Sequence, residues 1–239
     1  MAPDLLILSA TDFEVSHFLH LCPGDSKRRT KTGCRVISGK IYDKTYDLII
    51  TGPGGFNAAH ALTVYLEQTS PVTILQTGIA GVFRQAGIPI GDIAIATREQ
   101  YIHTGVRTDG AENDSLPFDL IKRDPLSRKG IYSFEPDRVD YIHKMLSMAL
   151  SADQINITRG PFITVSSITS SFQQADRLYS AFSPIMEAME GAASAHIAAL
   201  YGIPMIEIRA ASNVAGERDK SKWDIDLAVK QLGRVCSCL

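Results

Sequence analysis

Short, unbroken apolar runs recur along this chain, each ending in a small or polar group, and between them lie segments whose apolar positions repeat every three or four residues. Asp4–Ser9 reads as a buried strand, and Ala10-Thr11-Asp12 as the cap of a helix reaching about Leu21, with Glu14 in its first turn. Cys34–Ser38 and Tyr46–Thr51 are two strands joined by a turn. Gly52-Pro-Gly-Gly-Phe-Asn57 then opens a helix over Ala58–Gln68. Val72–Gly78 is a further buried strand that runs into Gly78-Ile79-Ala80-Gly81, and Gly91–Thr97 is the next. A polar loop, Tyr101–Asp124, separates these from an amphipathic helix that starts at Pro136 and places Val139, Ile142, Met145, Leu146 and Leu150 on one face. Gly160–Ile168 is a strand that gives way to a Ser-rich turn, and Gln173–Phe182 a helix. A small-residue helix follows, in which Glu187 and Glu190, three apart, share a face. Gly202 and Pro204 stop it, and Met205–Ile208 is a buried strand ending in Arg209, Ser212 and Asn213. Trp223–Leu232 closes the pattern as a helix. This alternation predicts a three-layer α/β/α sandwich around a mixed, mostly parallel sheet, as one domain over residues 1–239.

Composition narrows the classes. With 239 residues, 45% hydrophobic and 21% charged, the chain can bury one substantial core. A formal net charge of −2 gives no electrostatic footprint for nucleic acid, and the basic run Lys27-Arg28-Arg29-Thr30-Lys31 reads as a solvated loop. Asp4 stands where a signal peptide needs positive charge, and the apolar run Leu5–Leu8 is too short to span a membrane, so a cytoplasmic protein without membrane contact is expected. Cys22, Cys34, Cys236 and Cys238 lack zinc spacing and predict reduced thiols.

In open α/β sheets ligands sit at the carboxyl ends of strands, and several polar groups fall there. Glu14 follows the first strand, Glu190 precedes the nearly bulkless Gly191-Ala192-Ala193, and Arg209 and Asn213 end a strand. Gly78–Gly81 and Gly191 let something approach the backbone closely. Each group alone has a plainer role, a helix-dipole carboxylate or a structural ion pair, so a site depends on their convergence. The Gly52 turn lacks G-x-G-x-x-G spacing and is better explained by packing of helix on sheet. Glu14, His17 and His20 lack the second Glu-x-x-His copy of a di-metal helical site, so no metal is expected, and no cofactor either.

Taken in order, Gly78-Ile79-Ala80-Gly81, Met189-Glu190-Gly-Ala-Ala and Arg209-Ala-Ala-Ser-Asn213 resemble the nucleoside phosphorylase and nucleosidase superfamily over about Asp4–Leu232. Ser-Asn-Val-Ala-Gly-Glu-Arg-Asp with Trp223 is most similar to its futalosine hydrolase branch, which acts in menaquinone formation. The resemblance implies hydrolysis of the N-glycosidic bond of futalosine, releasing hypoxanthine. By the same likeness Glu14 matches the carboxylate that deprotonates the attacking water, Glu190 the one that grips the ribose hydroxyls, and Met189 the residue under the sugar. Asn213 matches the residue facing the leaving base, supported by Arg209, with Trp223 covering the purine. Ile168 and Thr169 fall where base contacts lie, and Ile79, Ala80 and Gly81 at the turn near the ribose.

Two positions sharpen the expectation. Relatives that cleave adenine nucleosides carry Asp where this chain has Asn213, and an amide suits a 6-oxopurine because its NH₂ can donate to O6 or N7. Phosphorylase relatives hold phosphate with an Arg and a Ser where Gln76 and Ile79 stand, so water rather than phosphate is the expected nucleophile. For the carboxylate tail of futalosine, Arg218 is the candidate cation with Arg107 in reserve, and Pro117 and Phe118 are candidates to complete the tail pocket of a neighbouring subunit in a homodimer or larger homo-oligomer. A broader purine nucleosidase, a non-catalytic nucleoside-binding protein and, remotely, an NAD-linked enzyme remain open alternatives.

Overall fold

The computed structural model describes residues 2–106, 116–122, 124–153 and 155–239, so Arg107 lies outside the described residues. In chain order its elements are β1 (Leu5–Ser9), α1 (Ser16–Leu21), β2 (Gly24–Arg29), β3 (Arg35–Ile41), β4 (Lys44–Ile50), α2 (Gly55–Leu66), β5 (Thr73–Val82) and β6 (Ile93–Tyr101). There follow β7 (Ser127–Arg128), β8 (Ile131–Ser133), α3 (Pro136–Ala149), β9 (Ile157–Thr164), α4 (Phe172–Phe182), β10 (Met186–Ala188), α5 (Gly191–Tyr201), β11 (Met205–Val214) and α6 (Ile225–Cys236).

All the strands join one mixed sheet. Parallel pairs β4–β1, β1–β5 and β5–β11 form its middle, and their unbroken apolar runs are buried on both faces. The antiparallel hairpin β3–β4 carries β2 at one edge, and β6–β8–β7 form the other. β11 also pairs antiparallel with β6, while β10 bridges β5 and β9, and β9 pairs with β6. The strands β5, β11, β6, β9 and β10 therefore close into a ring of neighbours that draws distant chain segments together at one end.

Neighbouring side chains on β5 show the layers. Gln76 accepts a hydrogen bond from Ser194 of α5, whereas Thr77 contacts Cys236 of α6. Successive strand residues point to opposite faces, so α5, with α2 packed beside it, and α6, with α1, cover opposite sides.

Three local expectations change. The basic run is an edge strand, not a loop: β2 pairs with β3, and its exposed Lys27, Arg28 and Arg29 discourage further strands from adding there. The first helix begins only at Ser16, because Thr11 and Glu14 bond reciprocally ahead of it, Thr11 N–H to Glu14 Oε2 at 3.0 Å and Glu14 N–H to Thr11 Oγ1 at 3.3 Å. Glu187 shares no helical face with Glu190. It lies on β10, where pairing with β5 and β9 overrides the helical tendency of its small neighbours, and α5 starts only after Glu190.

Candidate active site

The carboxyl ends of β1, β5 and β11 and the amino ends of α2 and α5 meet at Arg209, which is 1% exposed. Its Nη2 donates to Glu190 Oε2 at 3.1 Å and its Nε to Glu207 Oε1 at 2.9 Å. The other oxygen of Glu190 accepts from the Gly54 N–H at 2.8 Å. Gly54 reaches it because Gly52 and Gly54 adopt φ of 86° and 90°, a left-handed path that side chains resist. The Gly-rich turn thus does more than pack helix on sheet: it presents a donor to a site carboxylate.

Glu14 approaches from the other side. Its Oε1 accepts from the Ile79 N–H at 3.0 Å, and its Oε2 from the Thr11 N–H and hydroxyl, each at 3.0 Å. A side chain on Gly78 would begin 2.5 Å from Arg209 Nη1 and 2.6 Å from Glu14 Oε1. Gly78 is therefore required by the protein's own carboxylate and guanidinium, which converge over its Cα. Burial opposes the charge on Arg209, but the surrounding Glu207, Glu190 and Glu14 more than offset it and raise its pKa further.

Behind this pair lies a second carboxylate pair that has no counterpart in the sequence-based site. Glu99 Oε2 accepts from the Thr164 hydroxyl at 2.8 Å, while Glu99 Oε1 and Glu207 Oε2 are buried without a protein donor. Both face the Cα of Gly191, and a side chain there would collide with both. Two buried carboxylate oxygens facing one point repel unless at least one carboxyl is protonated. Burial, then the charge and hydrogen bond of Glu207, push Glu99 well above the ordinary carboxylate value. As at Gly78, the missing bulk at Gly191 makes room for side chains of the chain itself. The available signal was a Glu inside an otherwise apolar strand run, Met205–Ile208.

The far side of the site is built around Gly81. It pairs with Asn213 across β11, next to a bulge at Ala211–Asn213, and with Glu187 across β10. Asn213 is half-buried, with its Nδ2 3.1 Å from the Val214 carbonyl and its Oδ1 2.9 Å from the Ser212 hydroxyl. Thr169 is buried and gives both its hydroxyl and its N–H to the Glu187 carboxylate, whereas Ile168 is 51% exposed. Burial raises the pKa of Glu187, and the Thr169 bonds and the Arg218 charge oppose that rise. Trp223 is anchored through its Nε1 to the Glu217 carbonyl, and the next residue, Asp224, donates its N–H to the Ser212 carbonyl at 2.9 Å. Arg218 is exposed and stacks its guanidinium 5.3 Å from the centre of that ring.

A cavity of about 310 Å³ opens beside Met189, walled by Tyr101, Thr164, Val165 and Ala193, and Phe56, 95% exposed, stands at it. Another, about 390 Å³, lies by Phe13, Trp223 and Asp224. A third, about 280 Å³, lies at the far end of α5 by Gly202 and Pro204. None of the three is lined by Glu14, Glu190, Glu187 or Asn213, so volume does not mark the site. Pro117 and Phe118 are exposed. Among the described residues no group of His, Cys, Asp and Glu is placed to hold a metal ion, and no helix is long and apolar enough to cross a membrane. His17 and His20 stack on each other, while the carboxylate of Glu14 is taken up by Thr11 and Ile79.

A family model described as the Phosphorylase superfamily matches residues 4–238. The chain is 27% identical over 219 residues to a 5′-methylthioadenosine/S-adenosylhomocysteine nucleosidase of Oceanobacillus iheyensis, covering 91% of this chain and 89% of the relative. Among solved structures, S-adenosylhomocysteine nucleosidase of Streptococcus pyogenes, in complex with 5-methylthiotubericidin, superposes with a TM-score of 0.80 at 22% identity, over 99% of this chain and 95% of that one. Futalosine hydrolase of Helicobacter pylori superposes with a TM-score of 0.81 at 17% identity, over 100% and 97%. These two likenesses show the shared fold.

Proposed function

The chain belongs to the phosphorylase superfamily, and from that premise we propose that it is a purine nucleosidase whose substrate is futalosine, cleaved by water to hypoxanthine and dehypoxanthine futalosine. The observation that carries this reading is the meeting of Glu14 and Glu190 on either side of one buried guanidinium. Cleavage of an N-glycosidic bond develops positive charge on the sugar and negative charge on the base, so it needs carboxylates at one end and a hydrogen-bond donor at the other. Glu190, held by Gly54 and Arg209, is oriented to accept from ribose hydroxyls. Glu14 holds the water, takes one of its protons as oxygen bonds to the anomeric carbon, and releases that proton to solvent. The electrons of the broken C–N bond pass into the purine ring, where the Asn213 amide stabilises them, and water supplies the proton that completes the free base.

Two features favour water over phosphate. The Gln76 amide bonds to Ser194 and to the Leu8 and Thr77 carbonyls inside the core, and the Ile79 N–H is taken by Glu14. An anion placed there would find no cation of its own and would face a carboxylate. The exposed Phe56 beside the Met189 cavity favours a homo-oligomer that covers it, which sedimentation would measure. The names of the curated relatives favour a second reading, cleavage of methylthioadenosine-type nucleosides. An assay of futalosine, inosine and methylthioadenosine, each with and without phosphate, separates the readings. Free sugar from futalosine is the expected outcome; turnover of methylthioadenosine alone favours the second reading, and a sugar 1-phosphate overturns hydrolysis.

A further inference from the structure

Glu187 takes no part in the chemistry above, yet it stands closer to the base-reading amide than its place in the chain suggests. Gly81 is the register partner of Asn213 on one neighbouring strand and of Glu187 on the other. Register partners raise their side chains on the same face of a sheet, so the carboxylate and the amide flank a residue that has no side chain. A methyl group built on Gly81 would lie 3.3 Å from Glu187 Cγ, 3.4 Å from its Oε1 and 3.5 Å from Asn213 Nδ2, so an acceptor and a donor stand on either side of one bare Cα.

The acceptor is fixed and has capacity to spare. Glu187 is 5% exposed, and its Thr169 bonds use only part of a carboxylate's four lone-pair positions. No ammonium or guanidinium bonds directly to it among the described residues; Arg218 acts on it through space while lying over Trp223. A carboxylate buried beside the base-reading amide, with acceptor positions left over after the Thr169 bonds, is placed to take a donor from a ligand.

A purine presents adjacent groups on its six-membered ring, and these differ in polarity between the two common types. A 6-oxopurine offers an N1–H donor beside an O6 acceptor. Adenine offers an N1 lone pair beside an amino donor, the reverse at both atoms. We propose that Glu187 is a specificity-determining residue, accepting the N1–H of a 6-oxopurine while the Asn213 amide donates to O6, so that the site takes hypoxanthine- or guanine-type bases and disfavours adenine. This rests on the purine nucleosidase reading above and assigns the second half of base recognition within it. Thr169 then acts through Glu187, orienting its carboxylate.

Binding of free bases to the full-length protein, read by calorimetry, separates failure of the two ideas. The wild-type chain should bind hypoxanthine at least tenfold more tightly than 1-methylhypoxanthine, which lacks the N1 proton, and more tightly than adenine. In Glu187→Leu the preference for hypoxanthine over its 1-methyl analogue should vanish. In Glu187→Gln, whose amide can present either a donor or an acceptor, the preference for hypoxanthine over adenine should fall about tenfold or more, chiefly by gain of adenine. Folding of each variant is checked by its thermal unfolding, and the Gln variant tests the idea should Leu fail to fold. Undiminished discrimination in Glu187→Gln, or equal wild-type affinity for hypoxanthine and 1-methylhypoxanthine, overturns the role of Glu187 while leaving the purine site intact. Absence of binding of any purine overturns the nucleosidase reading itself.

Discussion

The two ends of the site are built on opposite plans. Around Arg209 each carboxylate has a fixed partner: Glu14 bonds to Ile79 and Thr11, Glu190 to Gly54 and Arg209, and Glu207 to Arg209. Around Gly81 the groups are fewer and less constrained. Among the described residues the Asn213 amide bonds to its immediate chain neighbours, Glu187 keeps unused acceptor capacity, and the Trp223 indole N–H holds one carbonyl. Charge that must be in place before a transition state forms is held by a network in which each member satisfies another. Recognition of a base needs only a donor and an acceptor of the right polarity, which can be exchanged without disturbing the rest. Damage at the first end should therefore remove activity, and damage at the second should redirect it.

The largest expected effect is at the first end. Glu14→Gln keeps the shape of the side chain and its bond to Ile79 while removing the base that takes the proton from water, so cleavage should be lost with ligand binding retained. Normal turnover in that variant would break the contrast. Next comes Asn213→Asp, which exchanges a donor for a group able to accept from a 6-amino substituent. The ratio of kcat/KM for adenine over 6-oxopurine nucleosides should rise about ten- to hundredfold, and an unchanged ratio would mean that Asn213 does not read the base.

A smaller effect tests the charge network itself. Glu99 is fully buried, and burial holds its folded-state pKa well above the ordinary carboxylate value, so the protonated form favours the folded state. That contribution is complete below the unfolded value and is lost as pH rises through the folded one, with a slope of at most about 1.4 kcal/mol per pH unit. Glu99→Gln, neutral throughout, should match the wild type near pH 4 and exceed its stability increasingly above that, measured by urea unfolding. Parallel curves would mean that Glu99 is already ionised. The smallest change expected is for Arg218→Ala. An exposed guanidinium stacked on Trp223 adds about 0.5–1 kcal/mol at such sites, so futalosine KM should rise by only a few-fold while kcat holds. Unchanged kinetics would remove Arg218 from the site.

Much of the fold was legible because buried parallel strands and amphipathic helices write their periods into the chain. β1, β5, β11, α3 and α4 fall where the apolar pattern puts them, with shifted ends. Less legible were elements whose identity depends on a neighbour. The polar β2 exists as an edge strand because β3 offers it hydrogen bonds, and Met186–Ala188 is a strand because β5 and β9 flank it. The same holds for the site. Small residues at Gly78 and Gly191 pointed to close approach, but spacing could not say that the approaching groups would be Arg209, Glu14, Glu99 and Glu207. Glu207 lies inside the run Met205–Ile208 and Glu99 just past Gly91–Thr97, and neither position tells that the fold sets the two carboxylates toward one glycine.

The linear pattern alone determined the buried strands and amphipathic helices of an α/β sheet, and which acidic, basic and amide groups end them, because burial and hydrogen bonding impose short periods on the chain. Only the tertiary structure decided which of those groups share a guanidinium or flank one glycine. Gly81 meets Asn213 and Glu187 through pairings between strands far apart in sequence, and such registers depend on the whole sheet closing rather than on any local spacing.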